Sequence, residues 1–162
     1  MIAPPVLIGV DVVEVDRISR AVAYSGPAYA RHVIAPGEHP LHEDPDLATA
    51  ASVAIKECLV KALGGRPPGF SWHDFTALGD VPVAGADWTR GLLDDAVPEV
   101  AGTVDVALTD FCAYAVGGAS LAAARTRFPD GAAGVAGAAR WGWRGNLIVA
   151  LAILTTFPEG AL

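Results

Sequence analysis

The sequence predicts a single globular domain of mixed helices and strands, on three observations. A β-rich apolar run opens it at residues 6–16, an unusually apolar helix pattern occupies 47–63, and strand-like runs follow at 70–78 and 103–118. The chain of 162 residues suits one domain, or one domain with a tail. A domain of that size buries a proper core without covalent staples.

Residues 6–16 read VLIGVDVVEVD: an apolar, β-branched stretch that takes on Asp11, Glu14 and Asp16 as it proceeds, as a buried strand does on surfacing. Residues 17–31 read as helix, interrupted by Gly26-Pro27, and carry Arg17, Arg20 and Arg31. Residues 35–46 hold Pro36, Gly37, Pro40 and Pro45 and read as loop. The helix at 47–63 is rich in Ala, Leu and Lys, with Asp46 as its expected cap and Gly64-Gly65 as its stop. It is apolar around most of its circumference, so burial is expected, and Lys56, Glu57 and Lys61 stand out on it. Residues 88–99 read as a short helix capped by Asp87, and Val104, Val106 and Leu108 as one face of the strand at 103–118. The composition turns to Gly and Ala near residue 126. That shift suggests a domain over 1–125 and a tail over 126–162, whose Trp141, Trp143 and Leu147–Leu154 would cover a hydrophobic surface.

Composition removes several classes of function. A formal charge of −7 argues against nucleic-acid binding, which needs a basic face. No apolar run reaches 18 residues, so no membrane-spanning helix is expected. The N-terminal segment lacks the basic region of a signal peptide, which points to the cytoplasm. Cys58 and Cys112 are too few for a disulfide framework and sit in apolar surroundings, as buried thiols do. His39 and His42 lie in the proline-rich loop without cysteine support or structural-zinc spacing, so a solvated loop is the simpler reading.

The chemistry-bearing residues are Asp11, Glu57 and Lys61. A bland account pairs Glu57 with Lys56, or with Lys61 at i+4, worth about 0.3–0.5 kcal/mol. A sharper account lets two carboxylates from separate elements converge on a hard cation such as Mg²⁺, which takes one or two carboxylates plus waters and substrate phosphates. Lys61 would then meet a phosphate as a point charge, and Gly64 and Gly65 would let the backbone approach it. Spacing alone leaves both accounts open.

Two motifs resemble those of a known family. Ile8-Gly9-Val10-Asp11-Val12-Val13-Glu14-Val15-Asp16-Arg17-Ile18 resembles the opening motif of holo-acyl-carrier-protein synthases, the small stand-alone branch of the 4′-phosphopantetheinyl transferase superfamily. Ala54-Ile55-Lys56-Glu57-Cys58-Leu59-Val60-Lys61-Ala62-Leu63-Gly64 is similar to the family's second motif, and Gly69–Phe75 to the strand that follows it. The resemblance covers about residues 6–124, in the family's order.

The resemblance implies an α+β fold with helices packed on a small antiparallel sheet. It implies Mg²⁺-dependent transfer of the phosphopantetheine arm of coenzyme A to a serine of an acyl or peptidyl carrier protein, releasing 3′,5′-ADP. Asp11 and Glu57 match the metal ligands, Lys61 the phosphate-contacting lysine and Arg17 a carrier-docking arginine. Gly64, Gly65 and Arg66 stand where the family's coenzyme A loop follows the helix. Stand-alone members are typically homotrimers with active sites between subunits.

Three positions depart from the pattern. Ser52 replaces an arginine, Asp110 replaces a histidine that contacts coenzyme A, and Gly64-Gly65-Arg66 replaces Gly-Thr-Gly. Each lost charge-assisted hydrogen bond is worth about 1.5–3 kcal/mol, so the alternative expectation is a non-catalytic relative acting as a binding or assembly subunit.

Overall fold

A computed structural model of the chain describes residues 5–83, 87–128 and 134–157. Its frame is one antiparallel sheet of five strands: β1 (Val6–Glu14), β2 (Phe75–Gly79), β3 (Asp110–Val116), β4 (Gly134–Arg144) and β5 (Leu147–Phe157). Their spatial order is β1-β5-β4-β3-β2. Among the described residues five α-helices complete it, with one 3-10 turn at Trp72–Asp74: α1 (Val15–Ser25), α2 (Pro27–Val33), α3 (Pro45–Ala62), α4 (Asp87–Val104) and α5 (Gly118–Arg127). The α+β expectation, with helices on a small antiparallel sheet, is borne out.

The segment expected as a tail is the middle of the molecule. β4 and β5 pair with each other from Gly134↔Phe157 to Arg144↔Leu147, and they join β3 on one side to β1 on the other. α5 runs across the boundary expected near residue 126. The physical reason lies in β5. Ile148, Ala150, Ala152 and Leu154 pack toward α3, while Val149, Leu151 and Ile153 pack into a second core with Leu93 of α4. A strand buried on both faces reads as an unbroken apolar run rather than an alternation.

Other boundaries moved for local reasons. The cap of α3 is Asp44, not Asp46: its carboxylate accepts from the Leu47 backbone N–H at 2.9 Å, which leaves Pro45 at the first helical position. α4 continues to Val104 despite Pro98, so Val104 is helical. Val106 and Leu108 are buried in the connection to β3, where the α4-side core holds them without a strand. The side chain of Asp87, the expected cap of α4, lies outside the described residues.

α3 is the central helix, buried along nearly its whole length between β1, β5 and the short helices α1 and α2. Its approach to β1 depends on Gly9, where an added Cβ would lie 2.0 Å from the Cys58 carbonyl oxygen. That close crossing brings the far end of β1 alongside the last two turns of α3. Cys58, fully buried, donates its S–H to the Ala150 carbonyl of β5 at 3.2 Å and fastens the same crossing from behind.

Candidate active site

The crossing of β1 and α3 assembles the three residues singled out in the sequence. Lys61 donates to the Asp11 carboxylate at 2.6 Å and to the Val10 carbonyl at 3.3 Å. Its hydrogen bond to Asp11 pushes the Lys61 pKa above the ordinary lysine value, and the charges of Asp11 and Glu57 push it the same way. Asp11 of β1 is thus tied to the last turn of α3, one turn beyond Glu57 on the same helix. Both carboxylates are partly open to solvent.

Glu57 is paired with neither of the lysines that spacing offered. It accepts from Arg66 at 3.0 Å. Lys56 points the opposite way, into the protein. It donates to the Val33 carbonyl at 2.7 Å and to Glu38 at 2.9 Å, and both partners of that ion pair are fully buried. Burial pulls the Lys56 pKa below its ordinary value, against the raising effect of Glu38. Glu38 also accepts from the backbone N–H groups of Ala35 and Ala77, so it ties the loop after α2 to β2 and to α3. The sequence signal for that pair was a lysine on an otherwise apolar helix, with no means of naming its partner.

Arg66 reaches Glu57 because the chain turns sharply after α3. Gly64 and Gly65 adopt φ values of 88° and 131°, a region that favours glycine. The Arg66 guanidinium also lies over two aromatic rings, 4.9 Å from the centre of Trp72 and 5.4 Å from that of Phe70. Arg127 of α5 donates to the Leu63 carbonyl at 3.1 Å and crowds Gly64. Three basic side chains thus surround the end of α3: Lys61, Arg66 and Arg127. In a chain of net charge −7 this is a local reversal of sign.

The remaining sites are placed as follows. Arg17 is exposed in the first turn of α1, directly after β1. Ser52 is buried in α3. Asp110 shares one row of the sheet with Asp11, through Trp141 and Ala150. Three strand spacings of about 4.8 Å put it roughly 14 Å from Asp11, so the two do not meet within one chain. Asp110 instead lines a cleft of about 320 Å³ with His39, Asp80, Arg90 and Arg140. His42 stands edge-on to the Trp143 ring at 5.1 Å.

The donor set fits a magnesium ion in its chemistry. Among the described residues no group of three or more His, Cys, Asp or Glu side chains gathers as a metal cage. Two hard carboxylates, with the rest of the shell left to water and phosphate, is the arrangement Mg²⁺ accepts.

Comparison with solved structures places this architecture with the fold of holo-acyl-carrier-protein synthases. The chain superposes on the holo-acyl-carrier-protein synthase of Neisseria meningitidis with a TM-score of 0.60 at 19% identity, over 93% of this chain and 98% of that one. It is similar to a coenzyme A complex of the synthase from Chronobacterium ammoniagenes at a TM-score of 0.57 and 18% identity, over 94% and 98% of the two chains. At such identities the likeness establishes the fold. In sequence, the chain is 45% identical over 73 residues to the holo-acyl-carrier-protein synthase of Clavibacter sepedonicus, covering 45% of this chain and 57% of that relative. It is 42% identical over 67 residues to that of Frankia alni, covering 41% and 53%. The chain thus spans little more than half the length of these curated relatives. No protein-family model matches it. Sequence relatives and fold neighbours together bear out the resemblance to the holo-acyl-carrier-protein synthase type. Among the described residues no helix is long and apolar enough to cross a membrane.

Proposed function

We propose that this chain transfers the 4′-phosphopantetheine arm of coenzyme A to a serine of an acyl or peptidyl carrier protein. The observation that carries the proposal is the Lys61–Asp11 ion pair, which fastens β1 to the end of α3 beside the Glu57–Arg66 pair. Asp11 and Glu57 would hold Mg²⁺, which when bound neutralises phosphate charge and polarises the phosphorus–oxygen bond. Lys61, and Arg66 beside it, supply fixed positive charge for the diphosphate. Gly65, with open space where a Cβ would stand, would let that group approach the backbone, and Arg127 lies against Gly64 beside it. In the reaction the serine oxygen bonds to the phosphorus bearing the pantetheine arm. The bond from that phosphorus to the departing oxygen breaks, 3′,5′-ADP leaves, and the hydroxyl proton is released. Catalysis of this kind is mostly positioning and charge stabilisation.

Arg17, exposed beside the end of β1, would help to dock the carrier protein. A homotrimer with sites between subunits would give Asp110 and its cleft a place at a neighbour's site, which the distance within one chain denies. Two free, buried thiols suit a cytoplasmic setting.

The test is incubation with coenzyme A, Mg²⁺ and a panel of apo carrier proteins, read by intact mass. The expected result is a gain of one phosphopantetheine on the carrier, lost in Glu57→Ala while its circular dichroism and melting stay near the parent's. Absence of any gain across the panel would overturn the proposal. The acidic Asp110 favours a second reading, a non-catalytic binding or assembly subunit. It expects coenzyme A affinity in the millimolar range or weaker by calorimetry, whereas tight Mg²⁺-dependent binding excludes it.

A further inference from the structure

The two carboxylates of the site are each already neutralised by the chain's own cations, Asp11 by Lys61 and Glu57 by Arg66. Together those side chains carry two positive charges, the charge of one divalent ion. Lys61 hangs from α3, and its other contact, the Val10 carbonyl at 3.3 Å, gives it no seat away from the strand that carries Asp11. Arg66 has one: its guanidinium lies within 6 Å of the ring centres of both Trp72 and Phe70, which stand edge to face at 5.4 Å. A guanidinium over aromatic faces is held electrostatically without any help from a carboxylate. Its link to Glu57 is a single contact between two partly exposed groups, the kind that gives way readily.

We infer that Arg66 is an exchangeable counter-ion of the metal site: it occupies Glu57 until a divalent cation takes that carboxylate, and then stays on Trp72 and Phe70, facing the phosphates. The inference rests on the metal assignment made for Asp11 and Glu57 and adds a positioning role for three residues, Arg66, Phe70 and Trp72. It has two consequences. Arg66 competes with the metal when no phosphate is present. Once displaced, it favours the anionic ligand, so metal and coenzyme A strengthen each other's binding by the same factor.

The deciding experiment measures Mn²⁺ affinity on the full chain without coenzyme A, by the loss of the free-ion paramagnetic resonance signal, at low ionic strength. Arg66→Met is expected to bind Mn²⁺ about two- to fivefold more tightly than the parent, the span of an exposed ion pair. Arg66→Lys, which keeps the charge, should fall closer to the parent. With coenzyme A added the order reverses, and Arg66→Met shows the smaller tightening of coenzyme A by Mg²⁺. Indole emission gives an independent readout. Mg²⁺ should shift it in the parent by releasing the Arg66 guanidinium from Glu57 while it stays on Trp72, and the shift should vanish in Arg66→Met and Trp72→Phe. Equal or weaker Mn²⁺ binding by Arg66→Met overturns the inference. In that case a loss of binding in Glu57→Gln would leave the metal site itself standing. Parent and Glu57→Gln binding equally poorly would sink both.

Discussion

Lys56 and Lys61 lie five residues apart on α3, and each is ion-paired, in opposite surroundings. The Lys56–Glu38 pair is closed off from water, with side chains 0% and 1% exposed. The Lys61–Asp11 pair sits at the rim, with the lysine 53% exposed. In the first, every polar group has a protein partner: Val33 for the ammonium, and Ala35 and Ala77 for the carboxylate. In the second, partners are few and solvent can replace them. A desolvated pair cannot lose one member without leaving a bare charge inside, whereas a rim pair can open to admit a ligand. One helix thus carries a closed ion pair on its inner face and an open one on its outer face. The burial of each side chain, not its type, makes the difference.

The sharpest way to break this contrast is Lys56→Met. It strands the Glu38 carboxylate, and the expected loss of stability is about 3–5 kcal/mol by urea unfolding. Adding Glu38→Leu should restore a substantial part. A loss below about 1 kcal/mol would mean that the inner pair is no more structural than the outer one.

The buried thiols test the same inner face by pH. Burial raises the pKa of both Cys58 and Cys112, so the native thiols stay protonated where those of the unfolded chain ionise. Their contribution to stability is whole below the unfolded thiol pKa of about 8.5 and declines as pH rises above it. The expected slope is about 1.4 kcal/mol per pH unit for each thiol once the unfolded thiol is fully ionised. Urea midpoints between pH 8.5 and 9.5 should fall less in Cys112→Ala than in the parent. Identical profiles would show that Cys112 is not sealed from solvent.

The smallest expected effect belongs to the outer face. Glu57→Gln removes a rim charge paired with a half-exposed arginine, and stability should change by no more than about 1 kcal/mol. A loss as large as that of Lys56→Met would make Glu57 structural and erase the distinction between the two faces.

Much of the candidate site was readable before any fold was known. Asp11, Glu57 and Lys61 stand out because each is polar within an apolar element, and local pattern is enough to see that. The identity of the ion pairs was not readable. Spacing offered Glu57–Lys61, a helical neighbour, but the turn at Gly64-Gly65 delivered Arg66 instead, and the crossing at Gly9 gave Lys61 to Asp11. Periodicity failed at 147–157, since a strand covered on both faces has no polar side to alternate with.

The sequence by itself determined which segments are apolar, where the chain must turn, and which few charged side chains sit in elements too apolar to leave them idle. These follow from local chemistry, through propensity, capping and glycine. Only the tertiary structure decided that residues 134–157 form the centre of the sheet and that Lys56 faces inward to Glu38. Only it placed two carboxylates from distant segments under two cations at one rim. Those outcomes depend on which surfaces meet across the fold, and burial in the shared core selects that meeting.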